Sequence, residues 1–281
     1  MASNDLTRSG KELLIDIKTA LISQGIKQKG SSQRAHFTAI NNWLGKHKPS
    51  ADTSNLEQVR GYLEAFYHLV AIEAWEEASK ILLVNLITPT NEKFHSQLNR
   101  WGYYDEQIEL CNTLLNKVSA KMTAVLESSL SGAFSGLGDY AQAIIHEQKS
   151  LKISQQIDNY SDTYKSLGNI GTFYLALGDY QQAINYQNQS LEASVELKDR
   201  SGEAYSLGRL GQGYFYLGEY SKAIRYYHRG LKIAREIQDL SEEVQILGNL
   251  SNAYLSRGEY SKTIEYQEQN LLLRGCMKRS K

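Results

Sequence analysis

Leu137-Gly138-Asp139-Tyr140, Leu177-Gly178-Asp179-Tyr180, Leu217-Gly218-Glu219-Tyr220 and Arg257-Gly258-Glu259-Tyr260 are one phrase written four times, at an interval of 40 residues. A period in this range marks stacked helix hairpins, each of which buries its apolar face only against its neighbours. Residues 161–200 show how one unit is made. Leu167, Ile170, Tyr174 and Leu177 fall at i, i+3, i+7 and i+10, one face of a helix. Gly178 suits the left-handed residue that ends it. Asp179 then puts an acidic group where the next helix dipole begins. Tyr180, Ala183, Ile184, Leu191 and Val195 form the facing stripe, and the small Ala183 lets the two helices approach. Ser161 and Ser201 are expected to cap the following helices.

The neighbouring segments repeat the design. Leu207, Leu210, Tyr214 and Leu217 lead to Tyr220, Ala223, Ile224 and Leu231. Leu247, Leu250 and Tyr254 lead to Tyr260, Ile264 and Leu271, with Thr263 in the place of the small alanine. Gly171 and Gly211 recur in mid-helix, where glycine costs ~1 kcal/mol against alanine. Their matched positions predict close helix packing. The only prolines are Pro49 and Pro89, so most of the chain is free to be helical.

Leu167, Ile170-Gly171, Tyr174, Gly178, Tyr180, Ala183-Ile184 and Leu191, with their counterparts 40 residues on, resemble the tetratricopeptide repeat. The common form of that repeat has about 34 residues. Here the second helix is longer and the connector reads Leu-Lys-Asp-Arg-Ser-Gly-Glu (197–203). This version looks like the 40-residue subclass of Pins-type adaptors and of cyanobacterial and other bacterial signalling proteins. The resemblance is strong over residues 122–274. It implies an all-α, right-handed α-α superhelical solenoid of helix hairpins.

In that family the first helix of each hairpin lines a concave groove. Carried through the matched glycines, the resemblance implies an inner row of Lys165, Asn169 and Thr172, then Tyr205, Arg209, Gln212 and Tyr216, then Gln245, Asn249 and Asn252. Amide side chains pair with a peptide backbone through both donor and acceptor. The tyrosines offer apolar area with a polar tip. Arg209 can hold a carboxylate through two hydrogen bonds. Chaperone-binding relatives grip a terminal carboxylate with a lysine–asparagine clamp. Gly168, Gly208 and Gly248 stand among the matching positions, so that clamp is absent. The implied function is a scaffold or adaptor that binds a partner peptide or helix, without catalysis, cofactor or metal.

Three segments are expected: a helical region over residues 1–60, divergent repeat-like helices over 61–121, and the array over 122–281. Trp101-Gly102-Tyr103-Tyr104 with Gln107-Ile108 reads as a degenerate turn, and Trp75 with Ala78 and Ile81 as another. Residues 63–115 look like the divergent repeats beside nucleotide-binding signalling ATPases, but no phosphate-binding G-x-x-x-x-G-K-[ST] occurs. Acting beside a separate ATPase of that kind is one reading of the chain.

Leu13, Leu14, Ile17, Leu21 and Ile22 predict a helix ended by Gly25, and Phe37, Ile40, Trp43 and Leu44 another closed by Gly45. Ser54 and Glu57 form a capping box for a third, carrying Leu56, Val59, Leu63, Phe66 and Tyr67. Arg8, Lys11, Lys18, Lys27, Lys29, Arg34, Lys46 and Lys48 outnumber Glu12 and Asp16 in this region. Ile40–Ser50 resembles the end of the recognition helix in phage-repressor-type helix-turn-helix domains. The preceding Gly-Ser-Ser-Gln (30–33) departs from that pattern. A helical cap for the solenoid is the leading reading. A DNA-binding head on a sensory array, making the chain a transcriptional regulator, is the alternative.

The chain of 281 residues carries 31 basic and 31 acidic side chains, which gives no global case for nucleic acid or an anionic membrane. Cys111 and Cys276 stand apart from other ligand-type residues and read as reduced thiols. The polar start Met1–Asp5 lacks the basic and apolar regions of a signal peptide, and no apolar run is long enough to span a bilayer. A cytoplasmic protein is expected. None of the six histidines has metal-site spacing, and His68 reads as a packed core residue. Ser128–Ser131 falls inside a repeat helix and lacks G-x-S-x-G, so small-residue packing explains it. Arrays usually end in a polar capping helix. None follows Arg274, which predicts an apolar edge that stacks on another copy or on a partner.

Overall fold

The computed structural model of the chain describes residues 10–26, 30–50 and 52–279. Arg8, Lys27 and Lys29 of the basic count, and the polar start at Met1, lie outside the described residues. Among the described residues the regular structure is fifteen helices in two compact units, residues 1–137 and 138–281.

The first unit contains α1 (Gly10–Ser23), α2 (Ser31–Lys46), α3 (Asn55–Gln58), α4 (Arg60–Ala71), α5 (Trp75–Leu83), α6 (Phe94–Trp101), α7 (Tyr104–Leu114) and α8 (Ala120–Gly136). They share one core in which Ile17, Leu21, Phe66, Leu69, Phe94 and Leu98 are sealed from solvent. The α1 stripe is narrower than expected: Leu14, Ile17 and Leu21 face inward, whereas Ile22 is half exposed. Gly25, at φ 71°, turns the chain after α1 as its sequence predicts. Gly45 does not close α2, which runs on to Lys46. A Cβ at Gly45 would lie 3.0 Å from Leu14 Cδ2, so its small size serves the α1–α2 contact. Ser54 caps α3 through the Glu57 amide, but Val59 breaks the predicted helix into α3 and α4. The Trp43–His47 end of α2 lies against α4, where a Cβ on Gly61 would meet the Trp43 carbonyl at 2.9 Å. Trp75 and Tyr104 open α5 and α7, and Gly102 takes the left-handed turn between α6 and α7.

The second unit runs α9 (Tyr140–Gln156), α10 (Tyr160–Leu177), α11 (Tyr180–Glu196), α12 (Arg200–Tyr216), α13 (Tyr220–Glu236), α14 (Leu240–Ser256) and α15 (Tyr260–Arg279). Each helix packs on the next, and the first helices also touch one another, α10 on α12 and α12 on α14. This is the all-α hairpin solenoid that the period implies. Gly178, Gly218 and Gly258 hold φ of 80°, 78° and 74° at the hairpin turns. The turns between hairpins use Asp158, Lys198 and Gln238 at φ 53–58° instead. Ser161 and Ser201 are not the caps: Asn159 and Asp199 accept the amides of Asp162 and Gly202, and the serines lie inside the first turns. The connector is correspondingly shorter than 197–203, because α12 starts at Arg200.

Ala183 and Ala223 are fully buried where paired helices cross, and Val195 falls off the stripe, half exposed. Close packing at the mid-helix glycines is as predicted. A Cβ on Gly171 would sit 2.8 Å from Gln187 Nε2, and one on Gly211 would sit 2.4 Å from Tyr227 Cε1. Tyrosines join the two helices of three hairpins: Tyr174 stacks on Tyr186, Tyr214 on Tyr226 and Tyr254 on Tyr266, with centroids 5.5, 5.2 and 5.4 Å apart. On α15, Ile264, Leu271 and Leu272 are exposed, whereas Ile224 and Leu231, the counterparts of the first two on α13, are buried.

Candidate functional site

The ten residues of the expected inner row lie on α10, α12 and α14, at matched positions of three consecutive first helices. Lys165, Asn169 and Tyr205 converge on one cavity of about 350 Å³ between α10 and α12. Small residues make its floor, namely Gly168, Ser190, Ser201 and Gly202. Tyr164 is fixed beside it. Its hydroxyl donates to Asp199 Oδ2, and its backbone carbonyl accepts from Ser190 Oγ at 3.0 Å. A side chain at Gly202 would strike the Tyr164 ring at 2.8 Å. Burial, and then the carboxylate it donates to, push the Tyr164 hydroxyl above its ordinary pKa. Asp199 is held below the usual carboxylate range, first by that hydroxyl and then by the Gly202 amide.

Thr172 turns its hydroxyl to Tyr205, with oxygens 2.9 Å apart, and so joins α10 to α12. The Arg209 guanidinium lies 4.7 Å from the Tyr205 ring centroid and donates to Gln212 Oε1 at 2.7 Å. Its Nε is buried without a hydrogen-bond partner. Tyr216 is exposed and stacks on Tyr180 at 5.1 Å. On α14, Gln245 and Asn252 are exposed and Asn249 is half buried. The row therefore offers two cations, a set of amides and two tyrosines. A polypeptide laid across it would meet donors and acceptors at every first helix.

Sequence reasoning missed Glu242. It lies within the first turn of α14, 9 % exposed, with Oε1 only 2.7 Å from where a Gly208 Cβ would be. Burial pushes its carboxyl up to about 7, and the Arg209 charge opposes that rise. The available signal was the matched position, which reads Asp162, Gly202 and Glu242 in successive units. The Tyr164–Asp199 clamp was likewise unread, because its partners are 35 residues apart.

Two other candidates resolve in the first unit. Ser129 lies inside α8 as expected, but it also takes part in a buried polar knot. Its Oγ accepts from Gln107 Nε2 at 2.8 Å and lies 3.1 Å from His95 Nδ1. Burial drops His95 to about 4, so the ring is neutral, and Ser129 is buried beside the half-buried imidazole. His68 is only half buried rather than a core residue. Its Nδ1 faces His36 Nδ1 at 3.0 Å, across α2 and α4. Among the described residues no group of three ligand-type side chains is placed to hold a metal ion, and no helix is long and apolar enough to cross a membrane.

A family profile for the tetratricopeptide repeat matches residues 162–236, which span α10 to α13. No curated protein sequence matches the chain. Solved structures share the fold at low identity. BtubC (BKLC) from P. vanneervenii is 14% identical with a TM-score of 0.57, over 99% of this chain and 93% of that one. The apo form of RapI is 16% identical with a TM-score of 0.60, over 89% and 100%. A signal-transduction ATPase with a tetratricopeptide repeat sensor, from Pyrococcus horikoshii, is 17% identical with a TM-score of 0.59, over 89% of this chain and 42% of that one. The hairpins α10 to α13 match the tetratricopeptide repeat, and the chain shares the fold of stacked-hairpin structures of that kind.

Proposed function

We propose that the chain is a non-catalytic cytoplasmic scaffold whose inner row, Lys165 to Asn252, binds an extended peptide or helix of a partner protein. One observation carries this reading: Lys165, Asn169 and Tyr205 meet around a cavity large enough for a side chain, beside a row of amides, aromatics and one arginine. Binding sites of this kind combine a pocket for one anchor with polar groups that set register. The exposed Ile264, Leu271 and Leu272 of α15 favour a second contact, stacking on another copy, which light scattering at rising concentration would read out.

The test of the row is selection of peptides from a displayed random library on the full chain. Selected peptides should bind the Asn169→Ala/Tyr205→Ala variant about tenfold more weakly or worse, a loss of about 1.4 kcal/mol. Failure to enrich any peptide, or equal binding by the variant, would sink the assignment.

A further inference from the structure

We infer that the outward face of α13 is a second docking surface, built for a partner helix that carries carboxylates in a single stripe. This surface is independent of the inner row. Lys222, Arg225, His228, Arg229, Lys232 and Arg235 are six of the eight exposed residues of α13. The five that are Lys or Arg run for ~20 Å at 1.5 Å per residue. Nothing in the repeat demands them. The matched positions on α11 are Gln182, Asn185, Gln189, Glu192 and Val195, and α11 has no lysine or arginine at all. In a chain of zero formal charge this is a local concentration of one sign. Like charges one turn apart weaken a helix, so the stripe costs the fold something.

The pairing of these cations indicates what the stripe is for. Lys222 is paired with Glu219, Lys232 lies 4.0 Å from Glu236, and Arg235 meets Glu243 at 2.7 Å. Arg225 and Arg229, at i and i+4, have no carboxylate at ion-pair distance among the described residues. The surface is thus a cationic centre whose two ends are already neutralised by the chain's own acids. A long polyanion would run over the exposed Glu219 and Glu236 and be repelled at both ends. The nearby aromatic faces are also taken: Tyr214 and Tyr226 lie on each other at an interplanar angle of 8°, which leaves no platform for bases. A helix with a stripe of carboxylates at i and i+4 fits the centre, because that pair has the spacing of Arg225 and Arg229. Arginine's planar fork suits each carboxylate.

The test uses the full chain and four probes in a fluorescence titration. Two are alanine-based helical peptides of equal composition, one with glutamates in a stripe and one with them spread around the helix. The others are a single-stranded DNA oligonucleotide and phosphatidylserine vesicles. The striped peptide should bind about tenfold or more tightly than the spread one. That margin should disappear in Arg225→Ala/Arg229→Ala, while circular dichroism shows the fold retained, and persist in Arg209→Ala. Equal binding of the two peptides, stronger binding of DNA or vesicles, or no binding of the striped peptide would overturn the proposal.

Discussion

Gly211 and Gly248 both sit inside first helices of the array, yet a methyl group should act oppositely at the two. At Gly211 it would press into the ring of Tyr227, which is 1 % exposed and cannot yield. Gly211→Ala should destabilise by about 1–3 kcal/mol, as overpacking does. At Gly248 the nearest atom is Asn270 Nδ2 at 3.6 Å, an ordinary contact. Gly248→Ala should then show the helix-propensity gain, about 0.5–1 kcal/mol, and urea unfolding of the two variants gives the sign directly. Glu242 makes a pH prediction. Its folded carboxyl titrates at about 7 against an ordinary 4.5, so the unfolded chain ionises first as pH rises. Stability should fall between those values and level off above 7, by up to about 3 kcal/mol. Glu242→Gln should flatten that fall, and Arg209→Ala should deepen it, because the cation that eases ionisation is gone. A midpoint for Glu242→Gln that tracks the wild type from pH 5 to 8 would refute the assignment. Close packing at Gly171 and Gly211 was legible from their recurrence. The burial of Glu242 was not, because no other unit has a long acid there.

At the scale of helices, the four copies of the turn phrase are chemically unequal. Asp139 and Asp179 accept the amides of Gln142 and Gln182 at 3.0 and 3.1 Å. Glu219 makes no such cap and pairs with Lys222 instead. Asp179→Ala should therefore cost about 1 kcal/mol, and Glu219→Ala should stay within about 0.5 kcal/mol, since an exposed ion pair contributes little. Thermal unfolding of the pair distinguishes them, and equal losses would show that the acidic side chain acts through the dipole alone. The hairpin turns were readable because glycine marks them. The turns between hairpins were placed late by the sequence, at Ser161 and Ser201, because Asp158, Lys198 and Gln238 take the left-handed conformation without a glycine to announce it. The α13 stripe was readable in principle from a helical projection of residues 220–236. Zero net charge conceals it when only the sum is taken.

At the scale of the molecule, the two units are held together differently, and this decides how each should fail. In residues 1–137 successive helices pack together and α1 also reaches forward to α5, around one core. Short helices, a split at Val59 and tertiary placement of α1 are beyond a periodic reading, which is why this unit was the less legible one. Leu21→Ala, at a fully buried site, should cost about 2–5 kcal/mol. It should move the fluorescence transitions of Trp43, Trp75 and Trp101 together, since all three lie in this unit. In residues 138–281 the main contacts are with the next helix and the next hairpin. Stability in such an array is close to a sum over units and their interfaces. A chain cut after Gln238, lacking α14 and α15, should therefore keep the ellipticity per residue of α9 to α13, while its urea midpoint falls. Ile224 and Leu231, buried in the intact array, would become exposed, so the lower midpoint reflects one lost interface rather than a lost fold. Collapse of ellipticity throughout the shortened chain would show instead that the array is one indivisible cooperative body.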